Sequence, residues 1–232
     1  IIGQLLDGKY RYSGREYEMP KHGFARHSVF AIKEQSEDSM TFSLASSDET
    51  RKCYPFEFEL LIKYSVSGHT LRCTSTVINK TDGEMYFSIG AHPGFNCRIG
   101  DAIEFEKDEN LRTMRIDSSS ILMDETFPVE LENGRTIRLT EHIFDKDALI
   151  LEGLNSESLR LVSGDRTVKF TFGKAPYLGI WAKPNAPYVC LEPWYGVNDS
   201  CDKKDSIAKK RGIEKLEKGE TFSFDWTAEL EG

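Results

Sequence analysis

Apolar and polar residues alternate along most of this chain. The runs TFSLAS (41–46), FEFELLIKYSVS (56–67), TLRCTSTVIN (70–79), EMYFSIG (84–90), RTIRLT (135–140), ALILEGL (148–154), SLRLVS (158–163), TVKFTF (167–172) and TFSFDWTAEL (221–230) keep the period of two that marks half-buried strands. Turn pairs separate them: Ser67-Gly68, Asp82-Gly83, Asn133-Gly134, Gly164-Asp165 and Lys218-Gly219. A single helix-like stretch, Asp202 to Lys210, is short. There is no linker, low-complexity tract or repeat. The pattern predicts one all-β domain over residues 1–232, built as large antiparallel sheets packed face to face.

That class has no βαβ crossover. The chain also lacks G-x-G-x-x-G, G-x-x-x-x-G-K-[ST] and G-x-S-x-G, so nucleotide loops and a nucleophile elbow are not expected. Charge narrows the partners. With 30 Lys and Arg against 38 Asp and Glu, the net charge of −8 argues against a nucleic-acid backbone as ligand. No apolar run approaches the ~20 residues of a membrane span, so neither a membrane nor nucleic acid is an expected partner. Cys53, Cys73, Cys97, Cys190 and Cys201 are odd in number and hold no C-x-x-C pair. They read as reduced thiols of a cytoplasmic protein rather than a disulfide or zinc framework. Asn79-Lys-Thr and Asn198-Asp-Ser match the glycosylation pattern, a common chance match that carries no weight here.

Two stretches place an ionisable residue directly before a proline. In GAHPGF (90–95) it is His92, and in CLEPWYG (190–196) it is Glu192, straight after the apolar run YVCL. A pre-proline residue is pushed into extended backbone, and the proline, lacking an N–H, marks a strand end. Gly94 lets a ligand approach the main chain. Leu191, Trp194 and Tyr195 desolvate Glu192 and favour a raised pKa, as a general base needs. A third stretch, PKHGFARHSVF (20–30), offers His22 and Arg26, and a guanidinium fork suits oxygen-rich ligands. Tyr177, Trp181, Trp194 and Tyr195 are candidates for stacking on a pyranose. His69 and His142 read as surface histidines.

Taken together, PKHGFAR, GAHPGFN, FDKDALIL, LGIWAKPNAPYVCLEPWYG and GIEKLEKGETF resemble, in this order, the aldose 1-epimerase (galactose mutarotase-like) superfamily, nearest its lactose-operon-associated branch. The resemblance implies a β-supersandwich that binds a small-molecule sugar and interconverts its anomers without a cofactor or metal, as a monomer or homodimer. It places the catalytic pair on His92 and Glu192. Substrate contacts fall on His22, Arg26 and Asp147, with Asp145 the lesser choice. It also implies one or two further strands ahead of the IIGQLL start, and it places Gln4 where related enzymes carry an arginine. A hexose 6-phosphate epimerase and a non-catalytic sugar sensor are the alternatives, and a glycoside hydrolase fits the His–Glu pair poorly.

Overall fold

The computed structural model describes residues 1–184, 186–202 and 205–231; Asn185, Lys203, Lys204 and Gly232 lie outside the described residues. Nearly all regular structure is antiparallel strand, as the alternation requires, and the chain forms an all-β supersandwich. It divides into two compact units.

The first unit comprises Ile1–Ile89, Ser119–Ile121 and Tyr195–Asp225. Four of its strands, Ala31–Gln35, Ser39–Ala45, Phe58–Ser67 and Thr70–Asn79, pair antiparallel in chain order. The last shows how pattern becomes packing. From Cys73 onward every second residue is buried, ending on Val77 and Asn79. The tight turn before it closes on Gly68, whose φ of +57° suits glycine, with Ser67 opposite Thr70. Leu44, Tyr54, Phe56, Phe58, Leu60 and Met85 form the centre of this unit's core.

Asn79 is 1% exposed, which is tolerable only because all its capacity is used. Its Nδ2 donates to the carbonyls of Gly83 (2.8 Å), Leu216 (3.0 Å) and Glu217 (3.0 Å), and its Oδ1 accepts from Thr81 N–H at 2.8 Å. The amide that a glycan would need is therefore committed to the interior. Asn79→Ala removes one buried and three partly buried hydrogen bonds at once, so we expect a loss of about 2–3 kcal/mol in chemical denaturation, and a loss below about 1 kcal/mol would contradict this account.

The second unit comprises Gly90–Ser118, Leu122–Trp194 and Trp226–Gly232. One of its sheets runs Thr136–Arg138, Ala102–Phe105, Ser158–Ser163, Arg166–Thr171 and the second half of Thr221–Glu231. The other runs Leu122–Pro128, Arg112–Ile116, Leu149–Glu152, Tyr177–Trp181 and Tyr188–Tyr195, with Gly94–Asn96 along the outer side of the last. Phe95 of this sheet meets Phe170 of the other with ring centroids 5.5 Å apart, so inward-facing side chains of both layers build one core.

The expected helix over Asp202–Lys210 is not found in the described residues, where only the 3-10 turn Ile207–Lys209 occurs. Among the described residues, the α-helix lies instead at Asp48–Cys53. Its cause is local. Ser47 and Thr50 cap each other's backbone N–H groups, Asp48 and Glu49 occupy the positive end, and Arg51 and Lys52 the negative end.

Candidate active site

The two pre-proline stretches are bound to each other within the second unit. Ala91 N–H donates to Pro193 O at 3.0 Å, and Leu191 N–H donates to Pro93 O at 3.1 Å. These reciprocal bonds use only the prolines' carbonyls, so the missing N–H groups cost nothing there. They bracket His92 and Glu192 as a directly opposed, non-hydrogen-bonded cross-strand pair, the position where facing side chains come closest. The register continues through Gly94–Cys190, Phe95–Val189 and Asn96–Tyr188. His92 Nδ1 lies 2.5 Å from Glu192 Oε2.

Because side chains alternate along a strand, Cys190, Glu192 and Trp194 share one face, and so do Tyr177, Gly179 and Trp181 on the neighbouring strand. Gly179 is paired with Glu192, Trp181 with Cys190 and Tyr177 with Trp194. The indole of Trp194 lies over Gly179 and donates Nε1–H to Glu192 Oε2 at 3.2 Å. Trp181 flanks the pair from the other row, its ring centroid 6.0 Å from that of His92. The Cys190 sulfur stands beside the pair, within 4.8 Å of the donor atoms of His92 and Glu192.

Burial within the pair is uneven. The Glu192 side chain is 6% exposed and the His92 side chain 61%. The carboxylate is thus fixed in the sheet, and the imidazole stands over it at the solvent edge. The hydrogen bond with Cys190, followed by the hydrogen bond and charge of Glu192, pushes the His92 pKa up to about 10. At neutral pH the imidazolium is the resting form.

The absence of a side chain at position 179 is what admits the indole. A Cβ there would lie 2.6 Å from Trp194 Cζ2 and 3.0 Å from Cε2, so the ring would have to tilt and carry Nε1–H away from Glu192. Gly179→Ala is expected to keep the fold, shift the tryptophan fluorescence and lower turnover by about tenfold or more through misplacement of the carboxylate. Unchanged turnover with a shifted spectrum would show that the indole does not position Glu192.

The other candidates stand elsewhere. Asp147 belongs to the same unit, just before Leu149–Glu152, a strand two removed from Glu192 and so about 10 Å across the sheet. Its backbone is left-handed (φ +68°), its Oδ1 accepts from Ala148 N–H at 2.7 Å, and it feels the charge of Arg115. Asp145 pairs with His142 at 2.9 Å. His22, also left-handed (φ +63°), accepts from Gly3 N–H at 3.2 Å, and exposed Arg26 lies in the turn Ala25–His27. Both belong to the first unit. The structure thus brings His92 and Glu192 into contact and gives Asp147 no bond to either. Sequence reasoning missed Cys190 and Gly179. Cys190 stands two residues before Glu192 and therefore on its face, which is a signal of spacing, whereas Gly179 carries none until the strand register is known.

An antiparallel supersandwich carrying an opposed His–Glu pair defines the class. The sequence signature of the aldose 1-epimerase family matches residues 3–226, and the chain belongs to that family of sugar isomerases. Its relatives place it in the LacX-like branch. It is 31% identical over 211 residues to the LacX proteins of Lactococcus lactis subsp. lactis, plasmid and chromosomal, covering 84% of this chain and 70% of theirs. Among solved structures it resembles a galactose mutarotase related enzyme from Lactobacillus acidophilus (29% identity, TM-score 0.92), over 100% of this chain and 81% of that one. It also resembles a galactose mutarotase-like protein from Lactobacillus casei (26% identity, TM-score 0.92), over 99% and 82%. Among the described residues no helix is long and apolar enough to cross a membrane.

Proposed function

We propose that this chain is a mutarotase, interconverting the α and β anomers of a free hexose by acid–base ring opening at Glu192 and His92. The observation that carries the reading is the direct opposition of these two side chains at 2.5 Å. Mutarotation takes a proton from the anomeric hydroxyl and gives one to the ring oxygen. Both oxygens are bonded to the same carbon, so the base and the acid must stand side by side, as a cross-strand pair does.

Glu192 Oε2 is held by His92 and Trp194, which leaves Oε1 to accept the anomeric proton. His92 protonates the ring oxygen, the C1–O5 bond breaks, and C1 becomes an aldehyde. Rotation about C1–C2 and reclosure on the other face return the proton from Glu192 to O1 and the ring-oxygen proton to His92. No proton is gained or lost over the cycle. Trp181 offers an apolar surface beside His92 for a pyranose face, and Asp147, just ahead of the strand Leu149–Glu152, orients a hydroxyl.

The test is polarimetry on freshly dissolved α-glucose and α-galactose, with glucose 6-phosphate as a third arm. Relaxation to the equilibrium rotation is expected to accelerate in proportion to protein concentration. A rate equal to that in buffer for all three sugars would overturn the reading in favour of a non-catalytic sugar-binding protein. A response confined to the phosphorylated sugar would reassign the substrate.

A further inference from the structure

We propose that His92, Cys190 and Glu192 also form a three-donor site for a borderline-soft divalent cation such as Zn2+, and that its occupation blocks turnover. The second half of this proposal rests on the mutarotase reading; the first does not. An imidazole nitrogen, a thiol sulfur and a carboxylate oxygen lie within 4.8 Å of one another. These are the three donor types that Zn2+ takes, and three protein donors plus an open fourth position is the usual catalytic-type coordination.

The arrangement is built into the sheet. Cys190 and Glu192 are two residues apart on one strand, share a face and are both buried, so their donor atoms are fixed before any ion arrives. Gly94, opposite Cys190, sets no side chain against the sulfur; a Cβ at that position would sit 3.6 Å from Sγ. His92, largely exposed, is the movable arm. A tetrahedral ion with bonds of about 2.0–2.3 Å holds its donors about 3.3–3.6 Å apart. The His92–Glu192 contact of 2.5 Å must therefore open by about 1 Å, which a swing of the exposed ring supplies. The cation then takes the place of the proton between Nδ1 and Oε2, and neither group can exchange a proton with sugar. Sulfur among the donors selects Zn2+ or Cd2+ over Mg2+ and Ca2+.

The experiment uses a Cys53→Ser/Cys201→Ser background, which removes the half-buried and exposed thiols and leaves Cys73, Cys97 and Cys190, all buried. Zn2+ affinity is read by competition with a chromogenic chelator, and thiolate coordination by the ultraviolet charge-transfer band of Cd2+. We expect one equivalent bound, with no competition from Mg2+. Cys190→Ser should abolish the band, and His92→Asn should keep the band but weaken Zn2+ binding at least about tenfold. Circular dichroism checks folding, and Cys190→Ala replaces any serine variant that fails it. Undetectable binding, or binding indifferent to both Cys190 and His92, overturns the site. Zn2+ should also stop mutarotation, and a chelator should restore it; turnover that persists with Zn2+ bound overturns the block. Cys190-dependent binding by a protein that does not mutarotate would support the site while refuting the mutarotase reading.

Discussion

Glu192→Gln is expected to lower the enzyme-catalysed mutarotation rate by about a hundred- to ten-thousand-fold while sugar binding stays close to wild type. The substitution is isosteric, so the indole of Trp194, which donates to Oε2, still finds an oxygen to donate to. What changes is basicity. An amide oxygen does not take up the anomeric proton, and a neutral amide no longer offers the His92 ring the negative charge that helps to hold its proton. That favours the neutral imidazole and removes the acid along with the base. The loss should therefore appear in kcat rather than KM, because binding contacts elsewhere on the sugar are untouched. Progress curves by polarimetry and affinity by equilibrium dialysis separate the two. Turnover near wild type would show that Glu192 is not the base.

How far this site could be read before folding depends on which residues speak for themselves. A pre-proline histidine and a pre-proline glutamate are visible one at a time, because proline constrains its own neighbour. Their juxtaposition is not visible, since it depends on two strands about a hundred residues apart meeting in one register. The place of Cys190 beside His92 and of Gly179 beneath the indole was hidden for that reason. A buried cysteine and a strand glycine look ordinary until Trp181 and Glu192 are found opposite them. The same holds for the fold. Long alternating strands such as Thr70–Asn79 follow from their pattern, with Val77 and Asn79 turned inward. Ala31–Gln35 does not, because all five residues are exposed and no face is selected. The helix Asp48–Cys53 was overlooked because its six residues carry no apolar period and are held by caps alone.

Register also changes what is expected of His92. Taken alone, an imidazole titrates near ~6.5, and an acid role would fade above neutrality. Placed against Cys190 and Glu192, its pKa rises to about 10. The direction follows from the charges: partners that accept from the ring N–H stabilise the protonated form, so the proton leaves only at higher pH. For a reaction that uses imidazolium as its acid, kcat/KM should hold through neutrality and fall as pH rises through about 10, roughly tenfold per unit beyond it. Spontaneous mutarotation also speeds up in base, so the enzymatic part must be taken from the slope of rate against protein concentration at each pH. His92→Asn should remove about a hundred- to ten-thousand-fold of that slope at pH 7, and the alkaline limb with it. A wild-type limb near 6.5 would mean that the imidazole is uncoupled from Cys190 and Glu192 in solution. If the limb near 10 survives in the asparagine variant, the titrating acid is some other group and the role given to His92 is wrong.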